Sequence, residues 1–136
     1  MSLGPTQAHE RIDELGLLDA SRNPGTYALQ VAAPDGVEAV QRQYLTAKGH
    51  PLDDGMAERL AACDTVLYVG RSGDVYDRIM DHVDGEVRRA SLLEAFDPVD
   101  VRGVWPDDDN TDVAERRRAQ ALAGPATAVW SDGTVF

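Results

Sequence analysis

Apolar positions along the chain fall into two kinds of segment: short β-branched or aromatic runs, and longer stretches where apolar residues recur every three or four positions. The first helical pattern covers residues 6 to about 19, with Ile12 and Leu15 expected to face inward. After the turn Asn23-Pro24-Gly25, the run Tyr27 to Ala33 reads as a strand with Tyr27, Leu29 and Val31 on one face, ended by Pro34-Asp35-Gly36. Two helical patterns follow. One lies at about 37 to 48, with Val37, Val40, Tyr44 and Leu45 on a shared side; the other runs from Asp53 or Asp54 to Cys63 and carries Met56, Leu60 and Cys63.

Thr65 to Val69 predicts a second strand, which Gly70 and Gly73 break into a turn, and Asp74 then stands where a helix N-cap accepts orphan amide protons. On the helix that follows, Val75, Ile79 and Val83 form a core stripe, flanked by Arg78 and His82 one turn apart. Asp84-Gly85-Glu86 interrupts this helix, Ser91 to Phe96 adds a helical turn, and Pro98 to Pro106 alternates as a third strand. Asn110, Thr111 and Asp112 offer caps for a last helix, Val113 to Ala123, stopped by Gly124-Pro125. Thr127 to Trp130 closes the pattern as a short strand. This order predicts a small sheet with helices packed on it, an α/β or α+β class. At 136 residues it is one domain, with residues 1–22 a helical appendage and no repeat or low-complexity tract.

Charge complicates the choice of partner. The net charge is −11, with 24 acidic residues against twelve Arg and the single Lys48, and the acids gather in runs such as Asp107-Asp108-Asp109. Phosphates demand cations, so this balance would ordinarily exclude a nucleic acid. An Asp-rich surface nearly empty of Lys is also what a salt-accumulating cytoplasm selects, so a halophilic, cytoplasmic protein is expected and the global charge reports the solvent. Cys63 is alone, which excludes an intrachain disulfide and a cysteine-based zinc site. No stretch has the length and apolarity of a membrane span, and Met1 to Pro5 lacks the pattern of a signal peptide.

The chemistry-bearing residues cluster around the second strand. Tyr68, Arg78 and His82, brought together by a tight turn, are suited to handling a phosphate; the plainer alternative is a half-buried Tyr beside a solvated Arg and His. His9 and His50 have no partner at metal spacing.

Gly25-Thr26-Tyr27, set beside Leu67-Tyr68-Val69-Gly70, resembles the GIY-YIG nuclease family over about Pro24 to Trp130. The resemblance implies a small, mainly antiparallel sheet flanked by helices, in which the two tripeptides lie on adjacent strands of a domain at 23–136. It also implies catalytic roles. Tyr27 and Tyr68 match the family's tyrosines, Arg78 its helix arginine, His82 the histidine one turn on, and Glu115 the metal-binding glutamate of the last helix. Glu115 would hold Mg²⁺ or Mn²⁺, Arg78 would clamp the scissile phosphate, Tyr27 or Tyr68 would help deprotonate the attacking water, and His82 would move a proton or orient a phosphate. Gly70 would let the backbone turn sharply beside the substrate. Arg71, Arg116 and Arg117 are candidates for contact with the nucleic-acid backbone, and Arg88 and Arg89 are a further unspecific pair.

The chain departs from the family pattern in three places. Thr26 replaces a branched apolar residue, an insertion at about 34–64 separates the tripeptides, and Ala126 to Ala128 stand where an asparagine is usual. The activity expected from the resemblance is metal-dependent hydrolysis of structured or damaged DNA. The alternative is a catalytically inactive module of the same fold that binds nucleic acid or a protein partner. A third is an unrelated domain in which Tyr27, Tyr68, Arg78 and Glu115 do not converge.

Overall fold

A computed structural model describes residues 2–84 and 91–136. Five strands form one sheet: β1 (Gly25–Val31), β2 (Thr65–Ser72), β3 (Pro98–Trp105), β4 (Thr127–Ser131) and β5 (Thr134–Val135), in the order β3-β1-β2-β4-β5. Pairing is antiparallel except between β2 and β4, so the class is α+β with a mostly antiparallel sheet. The helices are α1 (Pro5–Glu14), α2 (Leu18–Ser21), α3 (Val37–Lys48), α4 (Asp54–Ala62), α5 (Val75–Asp84), α6 (Ser91–Ala95) and α7 (Asp112–Leu122). None of the described helices is long and apolar enough to cross a membrane.

Strand alternation divides the core. On one face Tyr27, Leu29, Val31, Val66 and Tyr68 pack with Ile12, Val40, Tyr44, Leu60, Val75 and Ile79; on the other Ala28, Leu67, Val69 and Val129 receive Ala119 of α7. The two-faced burial explains why β1 reads almost uniformly apolar. The inserted stretch is part of the main core: Tyr44 lies 6.2 Å from the Trp130 ring, Gln43 Nε2 donates to Ala95 O at 2.9 Å, and Lys48 pairs with Glu94. Residues before β1 are likewise anchored, with Leu3 N donating to Pro98 O at 2.7 Å and Ala8 and Ile12 fully buried.

Several sequence expectations are corrected. Helix α1 ends at Glu14, which leaves Leu15 36% exposed and makes Ala8, one turn before Ile12, the second inward position. On α3 only the i, i+4 pair Val40 and Tyr44 is buried, whereas Val37 and Leu45 lie outside that narrow stripe. The first strand begins at Gly25 and stops at Val31, and β5 adds a hairpin through Asp132-Gly133, both at positive φ, that sequence patterning did not reveal. The sharpest correction concerns Gly70. It is no turn residue: β2 continues through it to Ser72, and Gly70 pairs directly with Tyr27. A Cβ there would fall 2.5 Å from the Tyr27 hydroxyl and 2.9 Å from Tyr68 Cε2, so its role is to make room for two rings.

Candidate active site

The site is assembled at the end of β2 that extends past its pairing with β4. That pairing ends at Tyr68 opposite Trp130, while β2 runs on to Ser72. Past the strand, Asp74 N donates to Ser72 Oγ at 3.1 Å and Asp74 Oδ1 accepts from Asp77 N at 3.2 Å, the cap expected from the sequence. This cap starts α5 at Val75, and the stripe Val75, Ile79, Val83 turns its first two turns onto the sheet. Arg78 and His82 are thereby fixed relative to both tyrosines.

His82 is fully buried, and its Nε2 lies 2.7 Å from the Tyr27 hydroxyl. The rings of Tyr27, Tyr68 and His82 pack mutually, with centroids 5.4 to 6.1 Å apart. Tyr27 has no exposure, whereas Tyr68 keeps 8%. Burial, chiefly, pushes both phenols above their ordinary value. The two hydroxyls act on each other in opposite senses, holding Tyr27's pKa up and drawing Tyr68's down, and the Arg78 charge lowers both. Tyr68 is therefore the easier of the two to ionise. Arg78 is about one third exposed and only loosely paired with Asp81 at 3.9 Å, so its guanidinium has donors to spare.

Glu115 reaches this cluster from α7, on the opposite face. Thr111 Oγ1 caps that helix by accepting from Ala114 N at 3.2 Å, which puts Glu115 in the first turn, where it is 7% exposed. Its charge raises the pKa of both Tyr27 and Tyr68, although α7 packs on the sheet face opposite the one that carries the two tyrosine rings. Burial first pushes the Glu115 carboxyl up; a hydrogen bond from Ser131 and the Arg71 charge oppose this, and Asp132 and Asp112 add to it. Ser131, the last residue of β4, and Asp132 in the β4–β5 turn line a small cleft with Glu115, Asp112 and Arg116.

Glu115 fits a hard cation: it is a buried anionic oxygen ligand whose charge is disfavoured by burial and by two neighbouring carboxylates. Among the described residues no three His, Cys, Asp or Glu side chains converge as a ligand set. Mg²⁺ or Mn²⁺ held here would take Glu115 plus water and substrate oxygens, the mode that suits Mg²⁺.

The remaining basic candidates separate. Arg116 and Arg117 are exposed on α7. Arg71 is engaged, with Nη2 2.7 Å from Asp112 Oδ1 and Nη1 3.1 Å from Asn110 Oδ1. Arg88 and Arg89 lie outside the described residues.

Sequence reasoning missed a second layer. Asp108, in the acidic loop, accepts from the Thr26 hydroxyl and from Arg118 Nε and Nη2 at 2.9 and 3.1 Å, and the Arg118 guanidinium stacks 4.4 Å from the Trp105 ring. The loop that looked merely solvated is thus tied to β1 beside Tyr27. Thr26, expected as a loose substitute for an apolar residue, is fully buried and uses its hydroxyl for this bond.

No family model, curated protein or solved structure matches the chain. The functional reading therefore stands on the geometry.

Proposed function

We propose that this protein is a metal-dependent endonuclease of the GIY-YIG type, hydrolysing phosphodiester bonds in DNA. The observation that carries the reading is the mutual packing of Tyr27, Tyr68 and His82, with Arg78 and Glu115 near enough for their charges to act on both phenols. Phosphodiester hydrolysis has a use for each of these residue types.

In this reading a water attacks phosphorus while the bond to a deoxyribose oxygen breaks. Tyr68, the more accessible and more acidic phenol, accepts a hydrogen bond from the attacking water and takes its proton as the new P–O bond forms. Arg78 supplies forked donors to the non-bridging oxygens as charge grows on them, and its charge favours the tyrosinate that Tyr68 becomes by releasing its own proton to solvent before it takes the water's proton, while the departing oxygen is protonated from solvent. His82 acts from behind. Being fully buried, it touches no substrate; its Nε2 holds the Tyr27 hydroxyl and so sets the orientation of the phenol beside Tyr68. Glu115 would hold Mg²⁺ or Mn²⁺, which supplies charge neutralisation for the departing oxygen.

The acidic surroundings favour a second reading, an inactive module of the same fold that binds nucleic acid or a protein: Arg71 is taken up by Asp112 and Glu115. Incubating the protein with supercoiled plasmid and branched DNA, with Mg²⁺ or Mn²⁺ at high KCl, separates the two. Metal-dependent strand scission supports the nuclease. Retention of DNA without scission under every metal supports the module.

A further inference from the structure

Arg71 ends the buried part of β2 and spends all three guanidinium nitrogens on one short stretch of chain. Nη2 and Nε meet Asp112 Oδ1 at 2.7 and 3.2 Å, Nη1 meets Asn110 Oδ1 at 3.1 Å and its carbonyl oxygen at 3.4 Å, and Nε stands 3.5 Å from Glu115 Oε2. A positive charge is thus already placed on the carboxylate assigned to the metal. A divalent cation at Glu115, which is 7% exposed, and a guanidinium at this distance repel each other. Asp112 and the Asn110 amide oxygen, meanwhile, present the guanidinium with acceptors a backbone phosphate would also present. Asp112 is largely exposed, so a phosphate has access to the pair from solvent.

We propose that Arg71 is a gate on Glu115: in the free protein its guanidinium occupies the place of the divalent cation, and its transfer from Asp112 to a substrate phosphate opens that place. Cation and nucleic acid then bind cooperatively, and the acidic stretch from Asn110 to Asp112 is the internal stand-in for the phosphate. This rests on the nuclease reading for the identity of both ligands. It goes beyond that reading by making metal occupancy conditional on substrate.

The test is Mn²⁺ binding to the full chain, followed by the electron paramagnetic resonance signal of free Mn²⁺, first without DNA. Arg71→Gln should bind Glu115-dependent Mn²⁺ at least about fivefold more tightly than wild type, the lower end of ordinary coupling between sites. Arg116→Gln removes the same charge from the rim of the same cleft and should change affinity less than about twofold. Arg71→Lys, which keeps the charge but cannot fork to Asn110, Asp112 and Glu115 together, should fall between. With a duplex of phosphorothioate-blocked DNA present, wild type should gain affinity for Mn²⁺ and Arg71→Gln should not. Unchanged or weaker binding by Arg71→Gln, an equal gain in Arg116→Gln, or no gain by wild type with DNA overturns the gate and leaves Glu115 as the metal ligand. Absence of any Mn²⁺ binding that Glu115→Gln abolishes overturns the gate together with the metal reading.

Discussion

Tyr27 and Gly70 stand directly opposite each other on β1 and β2, and the space a Cβ would fill at Gly70 is taken by the Tyr27 hydroxyl. The second glycine of the paired tripeptides is therefore a packing requirement of the first tripeptide's tyrosine. This couples the two motifs physically: the Tyr27 ring position depends on the backbone of the other strand at Gly70.

Gly70→Ala should cost about 1 to 3 kcal/mol, as overpacking does in a paired strand with no flexible neighbour to yield. Gly73→Ala is the control, since its nearest neighbour would be Asn110 Nδ2 at 3.9 Å, and it should lie within about 0.5 kcal/mol of wild type. Urea denaturation measures both. Equal stability of the two variants would show that the rings move aside freely.

The two tyrosines should separate by phenotype. Tyr27→Phe removes the hydroxyl 2.7 Å from His82 Nε2 in a fully buried place, which should cost about 1 to 3 kcal/mol. Tyr68→Phe, at the rim, should change stability by less than about 1 kcal/mol and slow cleavage about 100-fold or more. Denaturation and single-turnover cleavage of both variants check the assignment, and the reverse pattern would exchange their roles.

Asp108 gives a pH signature. Hydrogen bonds from Arg118 and then Thr26 hold its carboxyl below the usual carboxylate range, with burial opposing. A depressed folded-state value means the stabilisation is full above the unfolded value, about 4, and disappears as pH falls through the lower folded value. Asp108→Asn should therefore destabilise by about 1 kcal/mol at neutral pH, modest because the pair is partly exposed, and the difference from wild type should shrink below about pH 4. A difference that stays constant from neutral to acid pH would assign Asp108 a purely steric role.

How far the sequence carried these conclusions depended on how local the signal was. The Asp74 cap and the Val75, Ile79, Val83 stripe were legible because both are properties of consecutive residues on one helix. The convergence of Tyr27 with Tyr68 was legible only through the resemblance, since strand pairing across 40 intervening residues leaves no periodic trace. Thr26, Asp108 and Arg118 were missed because each reads as an ordinary surface or turn residue until β1, the acidic loop and α7 are brought together. Ser131 and Asp132 were overlooked for a related reason: they line the cleft with Glu115 only once the β4–β5 hairpin lies beside α7.

The acidic surface carries its own expectation. With 24 acidic residues against 13 basic ones, self-repulsion should weaken the fold at low ionic strength. Raising KCl from about 0.1 M, where the Debye length is about 10 Å, to above about 1 M should raise Tm measured by circular dichroism. A Tm insensitive to KCl would remove the halophilic interpretation.

Arg78 is the most direct test of the whole account, because it is about one third exposed, loosely paired, and its charge lowers the pKa of both tyrosines. Arg78→Ala should keep its melting profile close to wild type yet lose about 100-fold or more in single-turnover, Mn²⁺-dependent DNA cleavage, with Arg78→Lys recovering only part of the loss. Cleavage by Arg78→Ala at the wild-type rate would contradict the assignment of the active site to the Tyr27, Tyr68 and His82 cluster beside Arg78.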